Sequence, residues 1–253
     1  MRFCALGSGS RGNAMLIESR QTTVMLDNGF SVREANKRLG SMGVDPESID
    51  AMLVTHEHSD HINGVGAFAR KYGLTVYATK GTLACSRLGE LPDSKVINSH
   101  QSFVISDLEL NPFPVPHDAK EPCQFVFNDG QRRLAILTDT GSSTSYIEEQ
   151  LSGCDALVLE CNHDVAMLAD GDYPYSVKMR VAGDYGHLNN EQAATLLQSI
   201  DTSSLQHIVA AHISEKHNTQ SLAQQTLSAA LSCQQDWIAV ADQQCGLDWR
   251  DVN

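Results

Sequence analysis

The heptad Thr55-His56-Glu57-His58-Ser59-Asp60-His61 constrains this chain more than any other segment. It places three of the ten histidines within six positions, with carboxylates between them. Those residue types bind a borderline divalent cation such as zinc. The run just before it, residues 49–54, reads as a buried strand. The heptad is therefore expected on a loop at a strand's C-terminal end, leading into a helix over residues 62–72. Only a fold that offers a rigid strand end there lets one loop aim several side chains at one point.

The spacing His-x-His-x-Asp-His does not match the helical His-Glu-x-x-His motif, whose two histidines lie one turn apart. On an extended segment His56 and His58 project to the same side and can grip one cation. Asp60 and His61, past the turn, can face a second. The bland alternative is a histidine-rich surface loop, and further candidates downstream count against it. His117 follows the run 110–116, Asp139 follows 134–138, and His212 follows 208–211. Side chains at the same ends of neighbouring strands converge even when far apart in sequence. Any one of the three alone reads better as a satisfied polar residue; the recurrence favours a site.

Strand-like runs are frequent, from residues 2–6 to 207–211, and helical patterns punctuate them, from 32–42 to 221–231. The early strands come in hairpins and the later ones alternate with helices. This predicts an α/β chain in which two mixed sheets pack face to face with helices outside, a four-layer αββα sandwich. No repeat, low-complexity tract or Pro/Gly/Ser-rich linker divides the chain, so residues 1–253 read as a single domain.

The seven cysteines are scattered, odd in number and never spaced as Cys-x-x-Cys, which argues against a disulfide framework and a zinc knuckle. No apolar run approaches the roughly 20 residues of a membrane helix, and the first residues do not resemble a secretory signal. Cytoplasmic residence follows as the default. The net charge of −13 is uneven: residues 134–253 carry 16 acids against 4 bases, and residues 1–133 carry 15 against 14. A broad basic face for duplex nucleic acid is not evident.

Residues 7–12, Gly-Ser-Gly-Ser-Arg-Gly, fit a dinucleotide fingerprint, with Asp27 about 20 residues beyond its start. The fingerprint needs a helix after the last glycine, and two β-like runs follow instead. Without that helix N-terminus a pyrophosphate has no seat. A tight glycine turn is one reading of this loop; a loop whose backbone N–H groups lie near a substrate anion is the other.

On these residues the chain resembles the metallo-β-lactamase superfamily of binuclear metallohydrolases over nearly its whole length. The resemblance implies two divalent ions, zinc by ligand type and manganese as the alternative. It implies His56, His58 and His117 on one metal, Asp60, His61 and His212 on the other, and Asp139 bridging both. Asp27 would support the histidine loop. A bridging aspartate is typical of the phosphodiesterase and glyoxalase II branches, where β-lactamases usually carry a cysteine. Residues 186–194 resemble the Gly-His-Ser-Thr segment of ribonuclease Z near the scissile phosphate, and residues 211–214 resemble its His-Phe-Ser segment. Residues 158–164, with Glu160, resemble the strand-end acid of related nucleases that carry a larger cap domain, absent here. The overall pattern is most similar to the small bacterial YycJ/WalJ-like group, whose members are regarded as nucleic-acid phosphodiesterases or exonucleases.

These resemblances imply metal-assisted phosphodiester hydrolysis by a bridging hydroxide, with Asp60 orienting the water and His187 binding a phosphate oxygen or protonating the leaving group. Ser8, Ser10, Asn13 and Lys216 are the substrate-binding candidates. The exosite insertion with which ribonuclease Z holds tRNA is missing between residues 119 and 124. A small or single-stranded nucleic-acid substrate is therefore expected rather than tRNA. The rival activity is thioesterase or lactonase chemistry on the same metals. The non-catalytic rival is a metal-dependent binding protein.

Overall fold

Two seven-stranded sheets pack face to face in the computed structural model, which describes residues 1–253. In chain order the strands are β1 (Arg2–Gly7), β2 (Ala14–Glu18), β3 (Thr23–Leu26), β4 (Ala51–Leu53), β5 (Thr75–Thr79), β6 (Asp93–Ile97) and β7 (Phe103–Ile105). They continue with β8 (Leu108–Pro114), β9 (Cys123–Asn128), β10 (Arg133–Leu137), β11 (Ala156–Glu160), β12 (His207–Ala211), β13 (Ile238–Val240) and β14 (Leu247–Asp251). The helices are α1 (Val32–Ser41), α2 (Ser59–Ile62), α3 (Val65–Tyr72), α4 (Lys80–Leu83), α5 (Ser145–Leu151), α6 (Val165–Asp170), α7 (Tyr175–Val181), α8 (Asn190–Ser199) and α9 (Gln220–Leu231).

One sheet runs β14-β1-β2-β3-β4-β5-β6 and the other β13-β12-β11-β10-β9-β8-β7. Each begins as antiparallel hairpins and turns parallel: from β3 onward in the first sheet, and from β10 onward in the second. Parallel strands point their C-terminal ends to one edge, where sites on open α/β sheets are built. The near-continuous apolar runs of β11 and β12 are what strands buried on both faces require.

Three hydrophobic clusters give the four layers. One fills the space between the sheets and includes Phe3, Ile17, Leu53, Phe125, Phe127, Val158 and Val209. A second packs α5, α8 and α9 on the outer face of the β13–β7 sheet through Leu151, Leu196 and Leu227. The third packs α1 and α3 on the first sheet through Leu39, Phe68 and Val76. The expected four-layer sandwich thus forms.

The helix expected over 62–72 is divided. A short α2 begins inside the heptad at Ser59, and α3 starts at Val65. Gly64 lies between them, where any Cβ would collide with the carbonyl oxygen of Phe30. The glycine lets the chain bend close to the 27–30 loop, so Asp60 and His61 sit on the first turn of a helix. Two strands escape the sequence pattern. β13 has only three residues, and β14 is a partly exposed edge strand with Asp248, Arg250 and Asp251 in it. β14 brings the C-terminal segment back to pair with β1. After Gly12 the chain enters β2 rather than a helix, which removes the dinucleotide reading. No helix is long and apolar enough to cross a membrane.

Candidate metal centre

Apart from His187, which lies between α7 and α8, every histidine and carboxylate singled out above lies just past, or at the end of, a strand. Asp27 follows β3, the heptad follows β4, His117 follows β8, Asp139 follows β10, Glu160 ends β11 and His212 follows β12. Three of the chain's five non-glycine residues with positive φ are in this set: Asp27 (57°), Asp139 (51°) and His212 (52°). The left-handed region is unfavourable for a residue with a Cβ, and such strain gathers at functional sites. Here it turns each side chain from the strand direction into the space above the sheet edge.

Hydrogen bonds to the outer ring nitrogens fix which nitrogen faces that space. Asp27 accepts from the Thr55 N–H (2.9 Å), the Thr55 hydroxyl (2.8 Å) and His61 Nδ1 (2.8 Å). His61 Nε2 is left facing Asp139 Oδ2 at 3.1 Å and Asp60 Oδ2 at 3.4 Å. His56 Nδ1 pairs with the Thr55 hydroxyl (2.9 Å), and His117 Nδ1 donates to the Gly186 carbonyl (3.0 Å). His58 has the opposite arrangement: Nε2 donates to the Asp118 carbonyl (3.2 Å) and Nδ1 faces His117 Nε2 at 3.2 Å. Glu160, fully buried, holds both His187 Nδ1 (2.8 Å) and His212 Nδ1 (3.1 Å). These are the outer partners that orient metal-binding imidazoles.

The inward atoms form overlapping groups in which every candidate ligand atom lies within 4.8 Å of the others: His56, His58 and His117; His56, His61 and Asp139; Asp60, His61 and His212. His56 Nε2, His212 Nε2 and Asp139 Oδ2 are buried with no hydrogen-bond partner. Buried polar atoms left unpaired are costly. Nitrogen and oxygen donors gathered at this range, with orphaned lone pairs aimed inward, suit a borderline divalent cation.

Within the cluster the imidazoles and carboxylates shift one another's titration. Burial and the neighbouring His61 hold His56 well below the usual imidazole range. Burial also keeps His117 low. Burial opposes charge on His61 and His212 too, but the carboxylates around them prevail. Asp139, Asp60 and Asp27 push His61 well up, and Asp139, Asp60 and Glu160 push His212 up to about 10. In return, against their own burial, Asp60 and Asp139 are held well below the carboxylate range and Glu160 is held at about 2 by His187 and His212. His187 is raised, because Glu160 outweighs its burial.

The substrate-binding candidates separate. Ser8 is buried and its hydroxyl accepts the His212 backbone N–H (2.9 Å). Asn13 is buried, with Nδ2 on Gly9 O (3.1 Å) and Asp60 Oδ2 (3.2 Å). These two brace the site from inside. The backbone N–H groups of Ser8, Gly9, Arg11, Gly12 and Asn13 all donate within the protein, so most of the glycine loop is a structural turn and only the Ser10 N–H is left for an anion. Ser10 lines the cavity above the cluster, and Lys216 is exposed, 3.6 Å from Asp172. That cavity, about 270 Å³, also reaches His58, Asp60, Asp139, His187 and His212. Sequence reasoning missed Tyr173, His163 and His217, which line its far side. His163 sits three residues past the acid that ends β11, the one signal that pointed to it. The buried cysteines play no part: burial pushes the thiols of Cys4 and Cys154 up to about 12 and about 11.

A beta-lactamase superfamily domain model matches residues 22–213. The chain is 37% identical to exodeoxyribonuclease YycJ of Bacillus anthracis over 91% of its own length and 89% of that protein. It is 32% identical to exodeoxyribonuclease WalJ of Streptococcus pneumoniae serotype 2 (strain D39), over 98% of this chain and 92% of the relative. The metallo-beta-lactamase fold protein YhfI of Bacillus subtilis superposes with a TM-score of 0.76, covering 99% of each chain at 16% identity, a likeness of fold. With its paired sheets and strand-end histidines, this chain belongs to the beta-lactamase superfamily, as a metallo-β-lactamase-fold hydrolase of the YycJ/WalJ kind whose fold implies divalent-metal binding.

Proposed function

We propose that this protein is a phosphodiesterase of exonuclease type that works with two divalent cations on a single-stranded or small nucleic-acid substrate. The cations are zinc by ligand type, with manganese as the alternative. His56, His58 and His117 would hold one, Asp60, His61 and His212 the other, and Asp139 would lie between them. The observation that carries this reading is the inward convergence of orphaned donors from His56, His212 and Asp139, each anchored on a different strand end.

Divalent cations at such a centre acidify water and neutralise charge on phosphoryl oxygens. The protein's own groups do the rest. Asp60, ionised and only partly buried, accepts a hydrogen bond from the attacking water and sets its direction. His187 is clamped through Nδ1 to Glu160, so its other nitrogen is free toward the cavity. Raised in pKa by that carboxylate, it is suited to hold a phosphate oxygen and to return a proton to the leaving alkoxide. Asp27 and Glu160 keep His61, His187 and His212 turned inward.

All 253 residues act as one domain in this reading, and the seven free cysteines suit a reducing cytoplasm. The deciding experiment offers the metal-reconstituted protein single-stranded and duplex DNA, RNA, a cyclic dinucleotide, a thioester and a lactone. Hydrolysis of the phosphodiesters is the expected result. Turnover confined to the thioester or the lactone would replace this reading with carboxyl-ester chemistry. Metal uptake without turnover of any of them would make the protein a metal-dependent binder.

A further inference from the structure

Above the cation cluster the cavity continues toward α7 and the turn at Ser214. This end is lined by Tyr173 and Val177, its outer wall, and by His163, Ser214 and His217. None of these joins a group able to gather a cation. Tyr173 is half-buried and its ring meets the His217 ring at 62°, with centroids 4.2 Å apart. Gly171 makes that approach possible, since a Cβ there would enter the His217 ring. His163 is buried with Nδ1 unpartnered, and burial holds it neutral, down at about 4.

Resting on the phosphodiesterase reading, we propose that this extension is a subsite for one unpaired nucleotide at the end of a nucleic-acid strand, its base stacked against the Tyr173 ring. Four observations carry it. The cavity is continuous from Asp60 and Asp139 to Tyr173, so a base on the ring belongs to the nucleotide whose phosphate reaches the cluster. Its volume of about 270 Å³ suits a single nucleotide, below the range of pockets that take larger ligands. Of the seven large hydrophobic side chains left exposed, Val165, Tyr175, Met179 and Tyr185 all lie within residues 165–185, the segment that carries Tyr173 and Val177. Finally, three cations near this end already face carboxylates: Arg180 with Asp118 (3.5 Å), Lys216 with Asp172 (3.6 Å) and Arg11 with Glu215 (2.5 Å), while Lys178 is held on the Ala169 carbonyl. A neutralised rim cannot select a strand by its phosphates, whereas an aromatic face accepts any base.

Stacking on one ring changes affinity by roughly 5- to 150-fold per base. The test compares two single-stranded oligonucleotides that differ only at the scissile end, one with a normal terminal nucleotide and one abasic there. For the metal-reconstituted enzyme, kcat/KM on the intact end is expected to exceed that on the abasic end by about tenfold or more, mostly through KM. Tyr173→Ala should collapse this ratio toward one, and Tyr173→Phe should restore it. Equal cleavage of both ends by the unaltered enzyme, or a ratio untouched by Tyr173→Ala, overturns the subsite and leaves the phosphodiesterase reading standing. Failure to cleave either oligonucleotide while a thioester or lactone turns over removes that reading itself, and the subsite with it.

Discussion

The floor of the cavity and its rim are built on opposite principles. On the floor, polar atoms are buried and fixed from outside: Asp27 accepts three hydrogen bonds and Glu160 holds two imidazoles. On the rim, Arg180, Lys216 and Arg11 are more than half exposed and paired with exposed or half-exposed carboxylates. Charges under low dielectric interact strongly, whereas exposed pairs contribute about 0–1 kcal/mol. The difference teaches where sensitivity to mutation should lie. A single atom moved on the floor should cost orders of magnitude; a whole charge removed from the rim should cost little.

The largest effect is expected at Asp139. Its carboxylate lies within 4 Å of His61, His117, His187 and His212, with Oδ2 3.1 Å from His61 Nε2. Asp139→Ala should lower phosphodiesterase kcat by about a thousandfold or more and reduce bound metal per chain, measured by elemental analysis beside a rate assay. Full metal content together with full turnover would show that the floor does not depend on it. Next comes His187→Ala, expected to keep its metal and lose about 100- to 1000-fold in kcat, within the range of general acid–base catalysis. An unchanged rate would confine the chemistry to the cluster below it.

Proton sharing on the floor gives a pH signature. In the metal-free protein His61 and His212 are cationic at pH 7, because their pKa values are raised, His212 to about 10. A bound cation needs both imidazoles neutral, so uptake must expel about two protons. Apparent metal affinity should therefore rise with pH by about tenfold per pH unit for each proton released, and level off once the His212 value of about 10 is passed. Competition titrations against a chelator of known pH dependence would measure this slope. A flat profile would mean that the cluster holds no shared protons.

The same contrast explains what the sequence made legible. Runs such as 156–159 and 208–211 are apolar throughout because the strands are covered on both faces, so they are visible without a structure. Polar residues at their ends stand out against them, which is how Asp139 and His212 are found. The fold class follows from the same pattern. β14 is not visible, because an edge strand tolerates charged residues and its partner β1 lies more than 240 residues away. Nor does sequence spacing reveal that Ser8 and Asn13 face inward: both are small polar residues in a glycine loop, and their direction depends on contacts with His212 and Asp60. The Tyr173 wall is hidden for a related reason. A tyrosine between acidic residues and a proline carries no periodic signal, and only the packing of His217 against Gly171 brings it over the cavity.

The smallest effect tests the rim directly. Lys216 has 58% of its side chain exposed, and its ammonium lies 3.6 Å from Asp172 and 5.4 Å from the Tyr173 ring centroid. Removing it deletes one screened ion pair and one exposed cation–π contact, each worth about 1 kcal/mol or less. It also frees Asp172, whose negative charge weakly repels an approaching strand, and at 0.1 M salt screening reaches within about 10 Å. Lys216→Ala should therefore lower kcat/KM on a single-stranded oligonucleotide by no more than about threefold, with a salt dependence close to that of the unaltered enzyme. A loss above tenfold, with a shallower salt slope, would mean that Lys216 leaves Asp172 for a phosphate when the strand arrives. The rim would then read charge as the floor does, and the division between the two regions would fail.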